Sequence, residues 1–119
     1  MNHNDLSLDR YRKALAMYHQ ATEGQIKSPR LAYQKVELEM HLLQLHYLLG
    51  TEDQAESIFQ RALEAGQWLK AVTQPESQEL TSAIQQLLRG IDAMRIANDL
   101  DLANKSEANL KSVGLWLAR

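Results

Sequence analysis

The sequence predicts an all-α fold, an up-and-down antiparallel bundle of four long helices with a short fifth, and three observations carry that expectation. Strand signals are nearly missing: glycine (5) and proline (2) are scarce in 119 residues, β-branched residues never cluster, and alternation is never sustained. Apolar residues instead recur three and four positions apart through most of the chain. Helix starts and stops are also legible, and the connections between them are a few residues long, which makes consecutive helices antiparallel neighbours. By length this is one domain, over 7–119, after a polar, disordered tail over 1–6.

The first helix is expected from about Ser7 to Thr22, with Leu8, Tyr11, Leu15 and Tyr18 on its stripe and Gly24 behind it. Ser28-Pro29 then supplies an N-cap and a proline at the first helical position, where its missing N–H costs nothing. The helix that follows, closing at Gly50, carries two interleaved apolar seams. Leu38, Leu42, Leu45 and Leu49 form one, and Val36, Met40, Leu43 and Tyr47 the other. A surface helix needs one stripe, so this helix wants partners on two sides, either inside a bundle or where two chains meet. Thr51-Glu-Asp-Gln54 fits a capping box ahead of a third helix with Ile58, Ala62, Ala65, Leu69 and Val72 on its stripe. Thr73-Gln-Pro-Glu76 reads as the next break and cap. Leu80, Ile84, Leu87, Ile91 and Met94 mark a fourth helix, and the pattern loses phase around Asn98–Asp101. A last amphipathic segment holds Leu110, Val113, Trp116 and Leu117.

Gly50, Ala55, Phe59 and Ala62 resemble part of the tetratricopeptide pattern, and Ala14, Tyr18 and Ala21 repeat its second helix 41 residues upstream. That resemblance implies the alternative architecture, a stack of helical hairpins. The early tryptophan, leucine and glycine of the repeat are missing, and Gln67 stands where its closing proline would be.

Composition narrows the function classes. The chain has no cysteine, so thiol nucleophiles and thiolate metal sites are excluded. With 13 Lys+Arg against 15 Asp+Glu, no counterion-release grip on nucleic acid is expected of the whole chain. No apolar run reaches the roughly 20 residues of a membrane span, and the polar start lacks a signal-peptide core, so a cytoplasmic protein is expected. Glu37, His41 and His46 lie close along one helix but fit its remaining polar face, and neither a metal nor a cofactor is expected.

Arg12 and His19 are the one catalytic candidate. Their spacing resembles the arginine–histidine motif of the HEPN helical ribonucleases, which implies that Arg12 stabilises transition-state charge and His19 shuttles a proton. The motif here sits in the first helix, and Lys13 and Ala14 follow the arginine where the family has a polar residue. The reading of the chain as a whole is therefore a non-enzymatic, partner-binding helical module, with the ribonuclease class as its alternative. Spare apolar surface is expected at Val36, Met40, Leu43 and Tyr47, at Trp68, and at Trp116 near the end. The expectation is a homodimer that sequesters another protein helix-in-groove, as an antiactivator, a secretion chaperone or an immunity-type inhibitor would.

Overall fold

A computed structural model describes residues 8–10, 12–14, 16–17 and 28–117; those of the first stretches are helical, and no strand occurs among the described residues. The remaining elements are α1 (Pro29–Leu49), a 3₁₀ turn (Glu52–Gln54), α2 (Ala55–Val72), α3 (Gln78–Ile96) and α4 (Leu100–Ser112). The expected tail over 1–6, and Tyr11, Leu15, Tyr18, His19 and Gly24 of the expected first helix, lie outside the described residues.

Helix α1 starts and stops as its sequence dictates. The Ser28 hydroxyl accepts from the Leu31 N–H at 3.1 Å, with Pro29 in the first turn. Gly50, at φ 75°, ends it in the left-handed conformation, and the Thr51 N–H closes onto the His46 carbonyl at 2.9 Å. The expected capping box does not form. Thr51 makes no cap bond; its hydroxyl turns back to donate to the His46 carbonyl, residues 52–54 wind as 3₁₀, and α2 begins only at Ala55. At the next break the cap is Ser77, which accepts from the Leu80 N–H, while the Thr73 hydroxyl donates to the Leu69 carbonyl at the end of α2. A short hydroxyl one turn beyond a helix can satisfy its last carbonyls as readily as it caps the next helix.

Helix α1 occupies the centre. Arg61 of α2 reaches Glu39, whereas Gln54 and Ile58 sit by His46 and Leu42, so the two helices run in opposite directions. Met40 meets Gly90, and seven residues on the Tyr47 hydroxyl donates to Asp99 at 2.7 Å, so α3 runs alongside α1 in the same direction. Helix α1 thus packs on both α2 and α3, while α4 packs on α3 and touches α2. This is the physical origin of the two seams: Val36, Met40 and Leu43 are fully buried within the chain, and Leu42 is buried towards α2.

Small residues set the close approaches. A Cβ at Gly90 would strike the Met40 sulfur, and one at Gly66 would lie 3.2 Å from Leu115 and 3.3 Å from Leu87. The second of these slots receives the chain after α4. Gly114, at φ 74°, turns it so that Leu115 is buried against α2, and Lys70 donates to the Val113 carbonyl. Phe59, Ile58, Leu69, Leu87, Ile91, Met94 and Leu110 complete one continuous core. The radius of gyration is 13.9 Å, against about 13.5 Å for a compact chain of this length.

Candidate interaction groove

Because α1 and α3 run side by side, their C-terminal halves leave a groove of about 540 Å³ on the outside of the molecule. Tyr47 and Ala93, both partly buried, form its deeper part, and Ala97 keeps it open. Leu48 and Ile96 stand beside them, 67% and 87% exposed, two large apolar side chains left in water on one face. Gln44, Arg89 and Asp92 give the groove a polar rim. Tyr47 is held rigidly: burial, and then its hydrogen bond to the Asp99 carboxylate, push its phenol well above the ordinary value, so the hydroxyl stays a donor throughout the neutral range. The turn that delivers Asp99 depends on Asn98, which takes φ 63°, a conformation asparagine tolerates better than most residues.

A second opening, of about 380 Å³ and polar, lies between α1, α2 and the N-terminal helical residues. Glu39, Leu42 and His46 repeat along α1 at three and four residues, facing Gln54 at the end of the 3₁₀ turn and Ile58 and Arg61 on the antiparallel α2. The Glu39 carboxylate is 1% exposed and is gripped by Arg61 through Nε (2.5 Å) and Nη2 (3.2 Å). The Arg61 side chain is itself 42% exposed, so it covers the carboxylate and turns its remaining donors outward. Arg12 joins the lining from the N-terminal residues. The buried His46 ring has Nδ1 2.6 Å from the Thr51 hydroxyl. The same hydroxyl also lies 3.3 Å from the His46 carbonyl, so Thr51 ties the ring to the end of α1. Burial, then the charge of Arg12, lowers the His46 pKa, with Arg61 acting the same way and Asp53 opposing.

The residues singled out from sequence do not converge on one place. Val36, Met40 and Leu43 are core, and their seam is filled by α3. Tyr47, at the end of the same seam, reaches the groove. Trp68 and Trp116 are partly buried against the core on the α2 side, with the Lys111 ammonium 4.6 Å from the Trp116 ring centre, a cation–π contact. Arg12 lines the polar pocket, and His19 lies outside the described residues. Sequence reading missed Ile96, which falls off the Leu80–Met94 seam, and that departure was its signal. It also missed the Glu39–Arg61 pair, for which no local pattern exists because 22 residues separate the partners. Among the described residues no three His, Asp or Glu side chains are placed to hold a metal ion, and no helix is long and apolar enough to cross a membrane. No protein family, curated protein or solved structure matches this chain.

Proposed function

We propose that this chain is a small helical interaction module that binds a partner protein, and that the groove between α1 and α3 receives an amphipathic helix of that partner. The observation that carries the reading is the exposure of Leu48 and Ile96 across a groove floored by an aromatic ring and small alanines. Two parallel helices make a trough that another helix fills, and large apolar side chains beside a polar rim are how such grooves hold the apolar stripe of their ligand. The occupant would present its apolar stripe to Leu48, Tyr47 and Ile96, and polar groups to Gln44, Arg89 and Asp92. Holding a partner's helix in this way is a means of sequestering it, the role shared by antiactivators, secretion chaperones and immunity-type inhibitors. The homodimer expected from sequence, if formed, would use this face too, because Val36, Met40 and Leu43 are spent on contacts inside the chain.

The finer architecture we infer is an up-and-down succession of α1 to α4 folded as hairpins. Its support is the set of neighbours: α1 lies along α3 and α2, while α4 lies along α3. That is the neighbour pattern of stacked helix pairs more than of a closed four-helix ring.

A photo-crosslinking side chain in place of Ile96 identifies the occupant in cells, and calorimetry with the purified pair then tests the site. Ile96→Glu should weaken binding at least about tenfold, the effect of removing an interface anchor worth over 1.4 kcal/mol, whereas Gln67→Glu on the α2 side should leave it unchanged. Crosslinks only to a second copy would make the face a dimer contact. Equal affinities for the two variants would end the groove reading.

A further inference from the structure

We infer that the polar opening between α1, α2 and the N-terminal helical residues is a binding site for a phosphate group, independent of the groove on the opposite side of α1. The formal charges around it, Arg12 and Arg61 against Glu39 and Asp53, sum to nothing, but they are not equally presented. The Glu39 carboxylate lines the opening but is 1% exposed and paired with the Arg61 guanidinium, so its charge is largely offset there. Its effect is to fix Arg61 in place through Nε and Nη2, with the side chain still 42% exposed. A guanidinium pinned by a buried carboxylate is preorganised to bind an anion, because its rotamer entropy is already spent. Arg12 supplies a second guanidinium from a different element, and Gln54 an amide at the mouth. Asp53 stands on the exposed 3₁₀ turn and accepts from the Gln54 amide at 3.3 Å.

His46 lines the same opening. Burial first, and then the charge of Arg12, disfavours a charged ring, with Asp53 opposing and Arg61 adding to the effect. In its charged form the ring would donate to a bound oxyanion, so phosphate and proton should bind together. The volume, about 380 Å³, exceeds what inorganic phosphate fills, which suits a phosphomonoester carried on a small molecule.

The test uses the whole chain and follows the His46 ring resonances by NMR, at ionic strength fixed with chloride, against inorganic phosphate and against glycerol phosphate. Saturable movement of the His46 signals, a raised His46 pKa in the bound form, and at least about fivefold weaker binding in Arg12→Gln are expected, a coupling of ordinary size for one charge partner. Tighter binding of glycerol phosphate would identify the ligand as an ester, and equal binding as free phosphate. Arg12 is exposed, so its replacement leaves the fold intact; Arg61→Lys, which keeps the charge over Glu39 but loses the fork, should weaken binding as well. The site is refuted if the His46 signals do not saturate up to about 50 mM phosphate, where even a weak site would fill, or if Arg12→Gln binds as the wild type does.

Discussion

At the level of single residues, Glu39 and His46 carry the sharpest consequences, because each is a polar side chain almost wholly buried in α1. Glu39 is tolerated only with its charge paired, and Arg61 provides that pairing. Arg61→Met should therefore destabilise the protein by about 2 kcal/mol, less than the ~3–5 kcal/mol of a fully enclosed pair because Arg61 keeps contact with water. Adding Glu39→Leu should restore most of the loss, since it removes the orphaned charge; urea denaturation of the single and double variants measures both. His46 makes stability depend on pH with a definite sign. Its folded pKa lies below the unfolded value of 6.5, so its contribution is complete above that pH. As pH falls below 6.5 the unfolded chain binds the proton first, and stability declines until the folded pKa has been passed. Thermal melts of His46→Gln should lack this part of the acid-side decline.

Helices, turns and their contacts were legible to very different degrees. The α1 caps could be read directly, because Ser28-Pro29 and Gly50 each admit one local solution. The two apolar seams were equally plain, but their destination was not. A seam closed by another chain and a seam closed by α3 have the same spacing, and only the Met40–Gly90 approach distinguishes them. Thr51 misled because its hydroxyl donates to a carbonyl at the end of the helix behind it instead of accepting from the N–H groups ahead. The groove was half legible: Tyr47 and Leu48 lie in the seam region, whereas Ile96 matters only because α3 runs beside α1. Alanine at either buried glycine gains up to ~1 kcal/mol of helix propensity. At Gly90 that gain should be outweighed, because the added methyl strikes a fully buried Met40 side chain with nowhere to swing. At Gly66 two leucine methyl ends need give only a few tenths of an ångström. Gly90→Ala should thus lower the melting temperature by several degrees, about 1 kcal/mol or more, and by more than Gly66→Ala does. Ser28→Ala should cost about 1 kcal/mol by removing the α1 cap.

The molecule as a whole has one side spent on its own core and another that leaves large apolar side chains exposed. Leu43 belongs to the first, at no exposure, and Ile96 to the second, at 87%. Ile96→Asp should melt within about 0.5 kcal/mol of the wild type, as surface substitutions do, and any effect on association should appear without loss of helix content. A charge at position 43 has no such escape, since burying it unpaired costs more than a small domain of this size can spare. The most direct test is therefore light scattering on Leu43→Asp beside the wild type, read together with far-ultraviolet circular dichroism. The account predicts a variant that has lost its helical structure and expanded, whatever the mass of the wild type. A wild-type dimer that becomes a compact, fully helical monomer on that substitution would contradict it, and would place the Val36–Tyr47 seam between subunits instead of inside one chain.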